Sequence, residues 1–155
     1  MADNTTGQIV VFSLGKEEYA LPINRVQEII RYTEPRAVAS DAHWIRGVIS
    51  LRGKIVPVCD LGAHLGLPTE KGSEGNIVIV EAGSSTAGII VDDVDVVLSV
   101  VEDQLEPVPA AGSQSMQSIA KIDERLVVLL NIDAMFGGVD LHAGEAVEDD
   151  IPVAA

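Results

Sequence analysis

Apolar residues in this chain come in short β-branched runs, each closed by a glycine-rich or charged break, and that pattern predicts hairpins. Gln8–Leu14 (QIVVFSL) reads as a strand, Gly15–Glu18 as its turn and Tyr19–Ile23 as the returning strand. The period then changes. Ile23, Val26, Ile29 and Ile30 recur at spacings of three and four, which predicts one face of a short helix. Asn24 would be its N-cap, with Arg25, Gln27, Glu28 and Arg31 on the opposite face. Glu34-Pro35 ends this unit, and Ser40–Trp44 is a turn in which the only tryptophan, Trp44, is expected to anchor the core. Val48–Leu51 and Lys54–Cys59 form the next hairpin about Arg52-Gly53, where the glycine supplies the positive φ of a tight turn. Pro57 cannot donate to a ladder, so the returning arm should be an edge or bulged strand there. Asp60–Leu67 predicts one or two helical turns capped by Asp60, and Pro68–Gly75 a polar loop.

A second block follows. Asn76–Glu81 and Ala87–Asp92 predict a hairpin about Gly83-Ser84-Ser85, followed by Val94, Val96, Val97 and Leu98. Glu106–Ser115 is a Pro/Gly/Ser loop, expected to be exposed. Ser118–Ile122 and Arg125–Ile132 form a hairpin about Asp123-Glu124, and Asp133–Phe136 a helical turn closed by Gly137-Gly138. Residues 1–7 are expected to be disordered, as is the tail 139–155, which holds five acids (Asp140, Glu145, Glu148, Asp149, Asp150) and neither Lys nor Arg.

The two blocks repeat one another. Residues 8–30 (QIVVFSLGKEEYALPINRVQEII) overlie residues 76–98 (NIVIVEAGSSTAGIIVDDVDVVL) without a gap, with Ile9/Ile77, Val10/Val78, Gly15/Gly83 and Val26/Val94 identical. Residues 47–61 overlie 118–132 with the same apolar pattern. Two copies are too few for a solenoid, so two similar small β-barrels packed as one body are expected over residues 8–138. The copies differ at one hairpin tip, Arg52-Gly53 in the first and Asp123-Glu124 in the second, which singles out Arg52.

Composition narrows the function. Of 155 residues, 47% are hydrophobic but only 3% aromatic, so Val, Ile, Leu and Ala must fill the core. A net charge of −14 argues against phosphate-backbone binding and against anionic membrane surfaces. The beginning of the sequence lacks a signal-peptide pattern, no apolar run approaches the roughly 18 residues of a membrane span, and the lone Cys59 suits a reducing, cytoplasmic setting. His43, His64 and His142 are scattered, and no P-loop, Rossmann or nucleophile-elbow pattern occurs. No cofactor or metal site is implied. Such a chain is expected to bind proteins rather than transform a substrate. Ile23, Val26 and Ile29 make an apolar stripe, with Val94 and Val97 in the second copy, and barrels related by a pseudo-twofold would bring the stripes together as the lining of a groove for a helix or helix tip.

On these residues the chain resembles the CheW-like chemotaxis adaptors over roughly residues 8–136. Val26-Gln27-Glu28-Ile29 is similar to the family's VxEI segment. Gly47–Leu61 (GVISLRGKIVPVCDL) is similar to GVxxLRGxxxPxxDL, and Gly88–Val94 (GIIVDDV) to GxxVDxV. Leu105–Pro109 and Arg125–Ile132 are similar to later blocks. Ser118, Glu124 and Gly62 depart from the family pattern. The resemblance implies two five-stranded SH3-like β-barrels with short helical segments. It also implies a non-enzymatic scaffold that couples methyl-accepting chemotaxis proteins to the regulatory domain of a CheA-type histidine kinase in cytoplasmic arrays. The receptor tip would lie in a groove lined by Val10, Ile23, Val26, Ile29 and Val94 with Arg52 at its polar edge. Glu28, Gly47 and Val97 match interaction positions without assignment to receptor or kinase. An adaptor of the same fold in another histidine-kinase pathway, such as surface motility, is the alternative. An enzyme or ligand-binding barrel would need a deep pocket with converging polar side chains.

Overall fold

The computed structural model describes residues 5–37, 43–67, 74–82, 85–107, 116–136 and 153–154. The Pro68–Gly75 loop, the Gly83–Ser85 turn, the Glu106–Ser115 loop and the acidic tail therefore lie largely outside the described residues.

Among the described residues twelve strands, β1 to β12, form two sheets: Thr5–Leu14, Glu17–Pro22, Val26–Arg31, Ile45–Leu51, Lys54–Asp60, Asn76–Ala82, Ser85–Val91, Asp93–Val101, Leu105–Glu106, Met116–Ile122, Arg125–Leu130 and Val153–Ala154. One, sheet A, runs β8-β1-β2-β11-β10-β9; the other, sheet B, runs β12-β4-β5-β7-β6-β3. β9 and β12 are two residues long, so each sheet has five principal strands, as the resemblance implies. Two short helices follow the β4–β5 and β10–β11 hairpins: α1 (Leu61–His64) and α2 (Ile132–Phe136). Asp60 caps α1 as expected, accepting a hydrogen bond from the Ala63 amide at 3.1 Å. No helix among the described residues is long and apolar enough to cross a membrane.

The repeat is visible in the pairing. β3 pairs with β6 through Ile30–Ile77 and Ile29–Val78, and β8 pairs with β1 through Leu98–Ile9 and Val97–Val10, which are the same contacts in the two copies. Each copy is nevertheless split between the sheets. β1 and β2 from the first copy join β8, β10 and β11 from the second in sheet A, and β3–β5 join β6 and β7 in sheet B. The copies join antiparallel at β1–β8 and β3–β6 and parallel at β2–β11 and β5–β7, with Leu129 beside Ala20 in sheet A and Val58 beside Gly88 in sheet B. The five principal strands of sheet B thus come from one contiguous stretch of chain, nested inside the discontinuous sheet A.

Three apolar cores follow from the period-2 alternation of the strands. Ile9, Val11, Val100 and Val127 fill sheet A, and Ile30, Ile49, Ile77 and Ile79 fill sheet B. The largest lies between the sheets, where Phe12, Tyr19 and Leu21 meet Val78, Val80, Ile89, Trp44 and the apolar side of α2. Trp44 anchors it as expected, its ring 5.6 Å from that of Phe136.

Three expectations are corrected. The helix over Ile23–Ile30 is a single 3₁₀ turn, Ile23–Arg25, followed by strand β3; Pro22, not Asn24, precedes the turn, and no side chain caps it. Val26 and Ile29 share a face because a bulge in β3 inserts a residue between Val26 and Glu28, which turns a strand's period of two into a spacing of three. Pro57 lies on an inner strand rather than an edge, but β5 begins to pair with β7 only at Val58, so no donor is missed. Finally, β1 starts at Thr5, so residues 5–7, expected to be disordered, extend that strand alongside β8.

Candidate partner-binding groove

Residues directly opposite in an antiparallel pair project to the same face. Val94 is therefore beside Phe12 and Val97 beside Val10; Val26 is beside Val80 and Ile29 beside Val78. Phe12, Val78 and Val80 belong to the core between the sheets, so all four partners on β3 and β8 extend its face outward. Their burial is graded. Val10 is 3% exposed, so the structure does not leave it accessible as a lining residue. Val26 and Val94 are half-buried and pack against the shared core. Ile29 and Val97 are exposed, at 40% and 46%, and Ile23 in the 3₁₀ turn is exposed as well. The sequence-derived lining thus resolves into one buried residue, Val10, two half-buried ones, Val26 and Val94, and three exposed ones, Ile23, Ile29 and Val97.

The resemblance places Arg52 at the polar edge of the groove. It pairs with Glu28, the position next to Ile29. Glu28 lies opposite Ile79, on the sheet B core side of β3, whereas Ile29 lies opposite Val78 on the other side. Strand β3 therefore separates the Arg52–Glu28 pair from the apolar face. Arg52 holds a positive φ of 50°, and Gly53 one of 80°, so both tip residues are left-handed. Asp123 repeats this at 56° in the second copy.

Gly47 is buried on β4. A Cβ there would stand 2.0 Å from the carbonyl oxygen of Arg36, whose backbone bridges the neighbouring Val48.

Sequence reasoning missed Arg25. It grips Asp133 of α2 with two hydrogen bonds, 3.1 and 2.5 Å, and donates to the carbonyl of Glu81 on β6 at 3.1 Å. This clamp ties the 3₁₀ turn that carries Ile23 to both β6 and α2. Its only sequence signal was placement on the polar side of the stripe. Arg46 makes a second cluster, with Asp60, Glu74 and the Tyr32 hydroxyl, and Arg125 a third, with Glu18 and Asp95. Arg125 hydrogen bonding holds the Glu18 carboxyl below its ordinary range. Burial pushes the Cys59 thiol far up, so it stays protonated.

A CheW-like domain model matches residues 8–139. Chemotaxis protein CheW of Klebsiella aerogenes is 33% identical over 147 residues, covering 91% of this chain and 89% of that protein. Chemotaxis protein CheW of Bacillus subtilis is 32% identical, covering 86% and 90%. Protein PilI of Pseudomonas aeruginosa is 31% identical over 110 residues, covering 64% of this chain and 59% of that one. The crystal structure of the scaffolding protein TtCheW from Thermoanaerobacter tengcongensis superposes with a TM-score of 0.79 at 33% identity, covering 88% of this chain and 90% of that one.

Proposed function

The chain belongs to the CheW-like domain family, and on that premise we propose that it is a non-enzymatic chemotaxis scaffold that couples methyl-accepting chemotaxis proteins to the regulatory domain of a CheA-type histidine kinase. It works in the cytoplasm, recruited to membrane-associated receptor arrays, and needs no cofactor, nucleic acid or membrane insertion. The observation that carries the reading is the graded apolar face of β3 and β8, with Val26 and Val94 half-buried beside exposed Ile29 and Val97. Exposed aliphatic residues over a packed floor suit the apolar side of a helical hairpin tip. The Arg52–Glu28 pair, on the other side of β3, supplies a charged contact for the second partner or for the rim of the same one. Reconstitution with receptor and kinase tests this: Val26→Asp should weaken receptor capture at least about tenfold while the fold survives. Normal ternary assembly by Val26→Asp and Arg52→Ala alike would sink the site assignment.

The likeness to the differently named Protein PilI supports a second reading, an adaptor of the same fold for another histidine-kinase pathway, such as surface motility. Capture of a histidine kinase together with a receptor of that pathway, and of no chemotaxis kinase, would favour it.

A further inference from the structure

The two sheets close their outer edges differently. In sheet A the free side of β10 is covered by β9, where Glu106 and Leu105 pair antiparallel with Ile119 and Ala120. The counterpart of β10 in sheet B is β4, and among the described residues the chain before it supplies one antiparallel bridge, Arg36 to Val48, with both backbone hydrogen bonds at 2.9 Å. Beyond Val48 the edge passes to a different piece of chain. β12 lies there in parallel, Val153 beside Ser50 and Ala154 beside Leu51. An open strand edge presents unpaired amides and carbonyls to any passing strand, so both sheets meet the same requirement with unrelated segments.

The β12 pairing is two residues long, too short to be stable on its own. It persists because it is intramolecular, at a local concentration on the order of millimolar. Residues 151–155 (IPVAA) have no charged side chain. The site adjoins the Arg52-Gly53 tip in sequence and is independent of the apolar face of β3 and β8.

We propose that the outer edge of β4 over Ser50–Leu51 is a strand-accepting site, that β12 of the same chain is its resident occupant, and that departure of β12 opens it to an uncharged extended peptide adding in parallel. The edge then serves as a second interaction surface with a built-in cover. The test compares the full chain with one ending at Asp150. In the shortened chain, deuterium uptake over residues 48–52 should speed up about tenfold or more while β6 and β7 stay protected. A labelled peptide carrying residues 151–155 should restore that protection, and should bind the full chain at least about tenfold more weakly than the shortened one, because the tethered segment competes. The substitution pair Val153→Pro with Ala154→Pro in the full chain should reproduce the faster uptake without altering chain length. Dimerisation of the shortened chain with residues 48–52 still protected would also support the acceptor edge, a second copy having taken the vacancy. Unchanged uptake over 48–52 in a shortened chain that stays monomeric overturns the proposal.

Discussion

Ile29 and Val97 occupy the same position in the two copies of the repeat, each exposed on an outer strand and each directly opposite a buried valine, Val78 and Val10. A purely structural role would have favoured polar side chains at both sites, since neither contributes to a core. Ile29→Asp and Val97→Asp should each leave stability within about 0.5 kcal/mol of the parent, as exposed substitutions do. Each should weaken capture of its partner about tenfold, near 1.4 kcal/mol. Titration against receptor tip and kinase regulatory domain separately shows which partner reads which residue. Full affinity for both partners in both variants would refute a binding role for the pair.

Arg52 allows stability and recognition to be separated. Its left-handed backbone is strained for an arginine and natural for glycine. The exposed ion pair with Glu28 contributes at most about 1 kcal/mol. Arg52→Gly should therefore match or exceed the parent in thermal midpoint while losing the cationic contact. Arg52→Ile, β-branched in the same conformation, should lower the midpoint. Scanning calorimetry beside binding measurements on both variants distinguishes a turn residue from a recognition residue.

Gly47→Ala should be severe. The added methyl would collide with the Arg36 carbonyl, which cannot retreat without breaking its bridge to Val48. A loss of about 3 kcal/mol or more in denaturant unfolding is expected, at the upper end for a single substitution. Ser118 is the equivalent position in the second copy, and Ser118→Ala should cost far less, because a side chain is already accommodated there.

Glu18 gives a pH signature. Arg125 holds its folded-state carboxyl below the ordinary 4.5, so the group stabilises the fold above that pH, and the contribution disappears as pH falls through the lower folded value. Glu18→Gln should flatten the acid limb of the stability curve below about pH 4.5. At neutral pH the loss should be small, because the pair is partly exposed. An acid limb identical in the two proteins would exclude this carboxylate as a contributor.

Cys59 should resist thiol reagents in the native protein, being fully buried with its thiol held protonated by desolvation. Labelling should appear only with unfolding, so its rate reports global opening.

The strands were legible in the sequence because alternation survives wherever one face is buried, as in Ile9, Val11 and Ile77, Ile79. The bulges were not. An inserted residue at Gln27 or Asp95 shifts the period, and Val26 with Ile29 then imitates a helix. The repeat was visible, but an apolar pattern does not specify which hairpin joins which, so the exchange of strands between copies had no sequence signal. The same limit applies to the site. Val26, Ile29, Val94 and Val97 were found as a group, whereas the burial of Val10 depends on β1 lying between β8 and β2. Gly47 was noticed as part of a motif, but its reason, the Arg36 carbonyl, comes from a segment that reads as featureless.

The nesting of sheet B within sheet A sets an order of events during synthesis. All five principal strands of sheet B have emerged once Val91 is made, and their pairing is complete within that contiguous stretch. The β1–β2 hairpin emerges first of all, yet its outer neighbours β8 and β11 come last, Tyr19 waiting for Val128. Throughout that interval the earliest apolar strands of the nascent chain have one another and the growing core between the sheets, but no closed sheet of their own. Slow, late closure of sheet A is the expected kinetic phase, since long-range pairing carries a loop-closure cost.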